Sequence, residues 1–393
     1  MNNSFNPEQW NARLIADRRA IHRYPELGLD CVATAKLVRE RLTSMGLKPR
    51  DGGGKTGVIC DLSFGTGPGV LLRADMDALP LGETGGPARQ VGYLSANEGV
   101  MHACGHDGHT SMLLGAAELL LNDPPKSGIV RLMFQPGEEG PGGAGPMIAA
   151  GALEGIQSAY GIHLWNQLET GRLGLRPGPA MAACDEFEIT LIGPGGHGAH
   201  PSETIDPILA AAGLVHALHS IVSRNVPPDE SAVVTVGAIH GGTAFNIIPS
   251  EVKLLGTVRT FNELVREKIE KRVAQIAAAA AAMHGLAAKV RYERGYPALI
   301  NNPALVAAAR ERALKVEGIS ECLSPPAEMG AEDFALVAEK VPSAFLFLGC
   351  KGGVTADAGS HHSPTFDIDE AALPVGARLY AELARMEIER RAS

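Results

Sequence analysis

The chain has 393 residues, of which 45% are hydrophobic and 20% are charged, and its net charge is −9. This is the composition of an ordinary globular enzyme, and the length predicts two domains. The acidic balance argues against nucleic acid or an anionic membrane as the main partner, because phosphate groups are bound by dense lysine and arginine. Neither a secretory signal nor an apolar run of about 18 residues is visible, which predicts a cytoplasmic protein without membrane spans.

The first half of the chain alternates helical and strand-like segments. Residues 8–22 and 33–45 have the amphipathic pattern of helices. Short apolar runs, typical of buried strands, lie at residues 58–64, 70–73, 129–134 and 159–163. A further helix is predicted at residues 108–121, between the second and third of these runs. Strands and helices in this order predict a mostly parallel sheet with helices on its faces.

The pattern changes after Ala183. Residues 186–192 alternate apolar and charged side chains, which predicts a strand with one solvated face. Helix 205–223, strands 232–239 and 251–258, helix 263–283 and strand 290–293 follow. Asn262 is expected to cap the second of these helices. A strand–helix–strand–strand–helix–strand order is that of a ferredoxin-like domain.

These elements predict an α/β protein with an inserted domain. The catalytic α/β domain, with a mostly parallel central sheet, is expected to comprise residues 1–183 and 298–393. It resumes with helix 303–316, strand 344–348 and a last helix from residue 369. The inserted ferredoxin-like α+β domain, residues 184–297, is expected to act as a lid and to mediate dimerisation.

Side chains that bind divalent cations cluster where predicted strands end. Ligands of open α/β sheets gather at the carboxyl ends of strands, and thiolate, imidazole and carboxylate are the groups that bind zinc and similar ions. Five such groups come from separate places in the chain: Cys104, His106, Glu139, His163, and either His361 or His362. A mixed set of five suits two ions with a shared ligand better than one tetrahedral zinc, and Cys104 is the candidate bridge.

Further acidic side chains stand beside these candidate ligands. Asp75 and Asp77 are expected to orient a ligand histidine, although either could bind metal directly. In the pair Glu138-Glu139, Glu139 is the expected ligand and Glu138 the general base, which takes a proton from the attacking water and passes it to the leaving nitrogen. Two adjacent glutamates are also common on a solvated face, and Cys104 could instead be a nucleophile with a histidine base.

Motifs spread over nearly the whole chain resemble those of a known family. They lie at residues 22–28, 73–80, 101–109, 134–140, 161–163, 195–201, 245–249, 256–259 and 330–334. The chain resembles the co-catalytic metallopeptidase and aminoacylase family. Within it, the resemblance is to the branch of hippurate hydrolases, N-acyl-amino-acid amidohydrolases and indoleacetate–amino-acid conjugate hydrolases.

The resemblance implies the role of individual residues. It implies the ligands Cys104, His106, Glu139, His163 and His362, with Glu138 as general base. It also implies that His200 stabilises the oxyanion, in its own or a partner subunit's site. Asn246 would donate a hydrogen bond to the same intermediate or to the substrate, and the planar fork of Arg259 suits a free α-carboxylate. Two divalent ions are expected, zinc or manganese, with nickel or cobalt as alternatives, in a homodimer or homotetramer formed through the lid.

The predicted reaction is hydrolysis of an N-acyl-L-amino acid, hippurate-like or N-acetylated, to a carboxylic acid and a free amino acid. A dipeptidase or metallocarboxypeptidase with the same dinuclear site is the alternative. A non-catalytic ligand-binding protein on this scaffold and an amidase with a cysteine nucleophile are further hypotheses. Residues 82–91 are richer in glycine than is typical of the branch, which leaves the substrate preference open.

Overall fold

Two compact units make up the structure, a computed structural model that describes residues 5–85 and 92–392. The first unit is formed by Met1–Ala180, Ile300–Pro326 and Leu336–Ser393, and the second by Met181–Leu299 and Ala327–Ala335. Each unit has a hydrophobic core of its own. The domain limits predicted above, at residues 183/184 and 297/298, stay a prediction.

Helices and strands alternate along the described chain. The helices are Pro7–Arg23, Val32–Ser44, His106–Asn122, Ala144–Ala149, Pro207–Asn225, Glu263–Met283, Pro303–Ala313, Ala335–Ala338 and Ala372–Ala392. The strands are β1 Arg50–Asp51, β2 Val58–Ser63, β3 Gly69–Asp75, β4 Ile129–Gln135, β5 Ser158–Glu169, β6 Arg172–Gly174, β7 Gly178–Met181, β8 Ala183–Ile192, β9 Gly196–His197, β10 Ala232–Gly241, β11 Ile247–Ile248, β12 Glu251–Thr260, β13 Ala287–Arg294, β14 Leu299–Asn301, β15 Glu321–Leu323 and β16 Ser343–Lys351. Among the described residues, no helix combines the length and the apolar character that crossing a membrane requires.

The first unit contains an eight-stranded mixed sheet in the order β1-β2-β4-β3-β5-β16-β6-β15. Its centre is parallel, because β3 pairs in parallel with β4 and β5, and β5 pairs in parallel with β16. Every residue of β3 is buried, as expected of a strand covered on both faces. β2 and β6 are antiparallel to their neighbours β4 and β16. The predicted mostly parallel α/β sheet is therefore confirmed.

The second unit contains a four-stranded antiparallel sheet in the order β10-β12-β8-β13. Along β8 the buried side chains Phe187, Ile189 and Leu191 alternate with more exposed ones, as the sequence pattern predicted. The helices Pro207–Asn225 and Glu263–Met283 supply the other side of this core. The strand and helix order is that of a ferredoxin-like domain, which confirms the predicted fold of the insertion.

Several helices begin at an asparagine or aspartate cap. The side chains of Asn6, Asp206, Asn262 and Asn302 each accept a hydrogen bond from a backbone N–H in the first turn of the helix that follows. In three of these helices a proline occupies the first turn, where its missing N–H has no cost. The cap predicted at Asn262 is therefore present.

One strand differs from the sequence prediction in a way that matters for the site. The sequence pattern predicted that the fourth strand ends at His163, but β5 continues to Glu169. Parallel pairing with β16 extends from Ala159↔Ser343 to Trp165↔Gly349, so His163 lies inside the strand, opposite Phe347. The backbone of His163 is therefore held by the sheet and not by a loop.

Candidate metal centre

Cys104 and His163 bring a thiol and an imidazole together in the first unit. Cys104 Sγ lies 3.5 Å from His163 Nε2. The other ring nitrogen of His163, Nδ1, lies 2.7 Å from the carbonyl oxygen of Leu164 and must donate to it. The proton of the neutral ring therefore sits on Nδ1, and the lone pair of Nε2 points towards the thiol. Burial lowers the pKa of His163 well below its ordinary value, which favours this neutral form.

His106 is oriented in the same manner from the start of helix His106–Asn122. Its Nδ1 donates to the backbone carbonyl oxygen of Asp77 at 2.8 Å. Its Nε2 has no hydrogen-bond partner among the residues that the structure describes. That nitrogen faces carboxylate oxygens of Asp75 at 3.6 Å, Glu139 at 3.9 Å and Glu138 at 4.0 Å. A buried imidazole nitrogen with carboxylates at these distances suits a shared cation.

His362 comes to the same place from a loop near the C-terminus. Its Nε2 lies 3.2 Å from Glu139 Oε1. Its backbone N–H donates to the carbonyl oxygen of Ala103 at 2.8 Å, which joins this loop directly to the segment that carries Cys104. The φ angle of His362 is 62°, in the left-handed region that non-glycine residues rarely occupy. Such a backbone persists only where its surroundings hold it in place.

Two groups of ligand atoms share the thiol of Cys104. One consists of Cys104, His106 and His163, and the other of Cys104, Glu139 and His362; in each, the ligand atoms lie within 4.8 Å of one another. Ligand atoms about 2.0–2.3 Å from one zinc ion are separated by roughly 3–4 Å. The 3.5 Å and 3.2 Å distances above fall in that range. The residues present therefore fit two divalent cations, for which Cys104 would be a ligand common to both groups. His106, Glu138 and Glu139 form a further overlapping group.

The electrostatics of the site also favour a cation. Burial raises the pKa of the Cys104 thiol well above its ordinary value, and the carboxylates of Glu139 and Glu138 raise it further. The thiol therefore stays protonated unless a positive charge replaces its proton, as a bound divalent ion does. This argues against an activated cysteine nucleophile, which needs a lowered pKa.

Asp77 shapes the turn that carries the two glutamates. Its Oδ1 accepts from the backbone N–H of Glu138 at 2.9 Å, and its Oδ2 from that of Glu139 at 3.0 Å. The preceding Gly137 has a φ of +77°, and a side chain there would meet Leu29 Cδ2 at 2.6 Å. Since the carbonyl of Asp77 also holds His106, this one residue positions three groups of the site.

Replacing Asp77 by asparagine is therefore expected to weaken metal binding about 10- to 100-fold, as loss of a group that orients ligands commonly does. The asparagine oxygen can accept from one of the two N–H groups, but its amide nitrogen would face the other. Competition with a coloured chelator measures the affinity. Asp30→Asn, at an exposed pair with Lys55, is the control and should bind as the parent does. An unchanged affinity in Asp77→Asn would remove Asp77 from this role.

Asp75 contacts a histidine that the sequence analysis did not single out. Its Oδ1 lies 2.5 Å from Nδ1 of His109, and Nε2 of His109 accepts from the backbone N–H of Leu164 at 2.8 Å. Asp75 therefore orients the ring of His109, and that ring in turn holds the backbone of β5 next to His163. Asp75 itself lies farther from His106, with Oδ2 3.6 Å from His106 Nε2. His109 stands three residues after His106, on the same side of a helix, and this spacing was the available signal.

The remaining predicted residues belong to the second unit. His200 is exposed, and its backbone N–H donates to the carbonyl oxygen of His197 at 2.9 Å. Asn246 lies close to the segment that carries His200. Its carbonyl oxygen accepts from the N–H of Gly198 at 2.8 Å, and β9 pairs with β11. A side chain on Gly198 would meet the Asn246 carbonyl oxygen at 3.0 Å, so glycine permits this approach.

Arg259 is half-buried on β12, directly opposite Cys184 on β8. Its Nη1 donates to the hydroxyl oxygen of Thr257 and, at 3.1 Å, to the carbonyl oxygen of Val258. These bonds fix one edge of the guanidinium. Of the segment 82–91, residues 86–91 lie outside the described residues.

An α/β unit that brings two ligand groups together around a shared thiol defines a candidate metallohydrolase. The chain belongs to the peptidase family M20/M25/M40, whose model matches residues 71–386. It is 40% identical over 373 residues to the N-acetyl-L-cysteine deacetylase of Bacillus subtilis (strain 168), covering 94% of this chain and 87% of that protein. The resemblance drawn from the sequence motifs is thus confirmed, and the chain is a hydrolase of this family that acts on amide bonds.

Two further comparisons bear on the reaction and the site. The chain is 39% identical over 384 residues to thermostable carboxypeptidase 2 of Saccharolobus solfataricus, covering 96% of this chain and 95% of that one. It is also similar to the crystal structure of the Bacillus subtilis YXEP protein, a dinuclear metal binding peptidase, with a TM-score of 0.85 and 34% identity. That match covers 98% of this chain and 99% of the other.

Proposed function

We propose that this protein is a metal-dependent amidohydrolase that cleaves N-acyl-L-amino acids, hippurate-like or N-acetylated, to a carboxylic acid and a free amino acid. The observation that carries the proposal is the pair of ligand groups around Cys104, with Glu138 beside them. The similarity to a deacetylase of an N-acetylated amino acid and to a dinuclear metal binding peptidase supports it.

The ligands in this proposal are Cys104, His106, Glu139, His163 and His362. Two divalent ions bound there, zinc or manganese with nickel or cobalt as alternatives, would polarise the amide carbonyl and lower the pKa of water. Asp77 orients His106 and the Glu138-Glu139 turn, while Asp75 acts through His109.

Glu138 is the proposed general base and acid. It takes a proton from the attacking water and delivers it to the nitrogen of the breaking amide bond, so that the leaving group departs as a neutral amine. His200 and Asn246 stabilise the oxyanion of the tetrahedral intermediate. Arg259 binds the α-carboxylate of the substrate through its remaining N–H groups. The roles of these three residues rest on the family resemblance.

The proposal extends to the assembly and setting of the protein. We propose that residues 184–297 form the lid and the dimer contact, and that the protein acts as a homodimer or homotetramer in the cytoplasm. The partner in catalysis is a small N-acyl amino acid, and neither nucleic acid nor a membrane is expected to take part.

The test is a substrate panel with protein that has been stripped by a chelator and then reloaded. We expect no turnover of hippurate or N-acetyl-amino acids after stripping, and recovery when Mn²⁺, Zn²⁺ or Co²⁺ is added, because the carbonyl and the water both need the cation. N-acyl-amino-acid amides, which lack the α-carboxylate, should be poorer substrates. Release of free amino acid is the measurement.

The same panel contains the outcomes that contradict the proposal. Activity that survives chelation would favour a cysteine nucleophile. Cleavage of dipeptides or of the C-terminal residue of longer peptides, with N-acyl amino acids left intact, would favour the dipeptidase or carboxypeptidase alternative, which the similarity to thermostable carboxypeptidase 2 supports. Metal binding without turnover of any member would favour a ligand-binding protein.

A further inference from the structure

A buried arginine outside the metal centre binds carboxylates from two distant parts of the first unit. Arg18, on helix Pro7–Arg23, has a fully buried side chain. Its Nε donates to Asp107 Oδ2 at 2.7 Å and its Nη2 to Asp367 Oδ1 at 2.6 Å. Its Nη1 lies 3.3 Å from Glu370 Oε1. Both aspartates are also buried, so each charged group needs its oppositely charged partners to offset the cost of removing it from water.

Three further side chains, His22, Glu83 and Tyr93, join this network. His22, one turn after Arg18, lies between Asp107 Oδ2 at 2.8 Å and Glu83 Oε1 at 3.2 Å. The hydroxyl of Tyr93 donates to Asp367 Oδ2 at 2.8 Å, and the guanidinium of Arg18 lies 4.7 Å from the centre of the Tyr93 ring. None of these residues provides a ligand atom to the metal groups described above.

The network is attached to both halves of the candidate metal centre. Asp107 directly follows the candidate ligand His106 at the start of its helix. Asp367 belongs to the loop that carries the candidate ligand His362, whose backbone is in the left-handed region. A second bond to that loop comes from the N–H of Thr84, which donates to the carbonyl oxygen of Pro364 at 3.0 Å.

These segments are a helix start and a loop that lie outside the named strands, and the loop has one isolated bridge, Gly359↔Phe366. A buried ion pair contributes little to overall stability, because desolvation of the charges offsets their attraction. Its directed hydrogen bonds do fix the positions of the groups that they join. Here they fix the segments that carry His106 and His362, one ligand from each of the two groups around Cys104. One hydrogen-bonded network therefore positions a ligand for each of the two cations.

We propose that Arg18 is a positioning residue for the metal centre, which sets the affinity for both cations by holding His106 through Asp107 and the His362 loop through Asp367. The inference rests on the metal site under the proposed function, but it does not depend on the substrate. Tyr93 supports the same loop through Asp367 and is expected to have a smaller effect.

The test compares Co²⁺ binding by the stripped full-length chain and its variants. Thiolate and ligand-field absorption of bound Co²⁺ reports the cysteine-containing centre directly. We expect Arg18→Met to bind Co²⁺ about 10- to 100-fold more weakly than the parent, as loss of outer hydrogen bonds at a metal site does. Tyr93→Phe keeps the ring and loses one hydrogen bond, so a loss of about 3- to 10-fold is expected. Far-ultraviolet circular dichroism checks that each variant is folded.

Arg131→Met is the matched control. Arg131 is also a buried arginine of the first unit; it bonds both oxygens of Asp61 at 2.7 Å and, at its Nη1, backbone carbonyl oxygens. This variant should be destabilised but should bind Co²⁺ as the parent does. An equal loss of affinity in Arg131→Met would overturn the proposal, because the effect would then be general.

Two other results would overturn the proposal or its basis. Parental affinity in folded Arg18→Met and Tyr93→Phe would show that the network does not position the ligands; if Arg18→Met does not fold, Tyr93→Phe decides alone. Absence of Co²⁺ binding by the parent would remove the metal site and this inference with it. A parent that binds Co²⁺ but cleaves no N-acyl amino acid would contradict the proposed function only.

Discussion

Glu138→Gln is expected to lower kcat by about 10²- to 10⁴-fold, the range that general acid–base groups contribute, while the metal content stays at the parental level. Glutamine has nearly the shape of glutamate, but it cannot take a proton from water at neutral pH. The residue lies beside the ligand groups, with its Oε2 4.0 Å from His106 Nε2, and its side chain is mostly buried. The measurement pairs steady-state kinetics on an N-acyl amino acid with elemental analysis of the same sample.

Two variants define what this result means. Glu139→Gln should lose metal as well as activity, because Glu139 is the carboxylate in contact with His362. Glu40→Gln, on the exposed side of helix Val32–Ser44, should keep the parental kcat. If Glu138→Gln lost metal to the same extent as Glu139→Gln, Glu138 would be a ligand and not the base. A parental kcat in Glu138→Gln would remove it from the mechanism.

The local part of the site could be predicted from the sequence. The spacing of Cys104 and His106 before a helix, and the position of Glu139 just after a buried strand, place ligand types at the edge of a parallel sheet by general rules of α/β proteins. The structure brings these three side chains within reach of His163 and His362. The choice between His361 and His362 was not available from spacing, and the family resemblance favoured the second.

The other histidine, His361, makes contacts that no local pattern encodes. Nε2 of His361 lies 2.9 Å from the carbonyl oxygen of Leu164, and its ring lies 4.7 Å from that of Trp165. These contacts turn His361 towards β5 and leave the Glu139 contact to its neighbour His362. Leu164 and Trp165 are about 200 residues away in the sequence, so their contact with His361 arises only from the tertiary fold.

The buried charges were the least predictable feature. His22 lies between two carboxylates, Asp107 and Glu83, and its local sequence does not indicate either contact. Arg18 is 89 residues from Asp107 and 349 residues from Asp367, and nothing in their local sequence indicates that they meet. The short strands β1, β6 and β15 were missed for a related reason, because two or three residues carry no measurable periodicity.

Cys104→Ser is expected to weaken the binding of both cations. The loss should exceed about 100-fold, which is the upper range for removing a group that only orients a ligand. The reason is its place in both ligand groups, whereas His163 and His362 each belong to one. His163→Asn and His362→Asn should therefore each weaken one of two binding steps. Stepwise Co²⁺ titration measures this difference, and the sulfur-to-cobalt absorption should vanish only in Cys104→Ser.

Cys322→Ser provides the control, since Cys322 is a half-buried thiol on β15 that belongs to none of the ligand groups found among the described residues. It should bind two ions with parental affinity. If Cys104→Ser also bound two ions normally but lost all activity, Cys104 would be acting on the substrate, and the cysteine-nucleophile hypothesis would replace the dinuclear one. The raised pKa of the Cys104 thiol argues for the opposite result, because a thiol in this acidic, buried setting becomes a thiolate only when a cation compensates its charge.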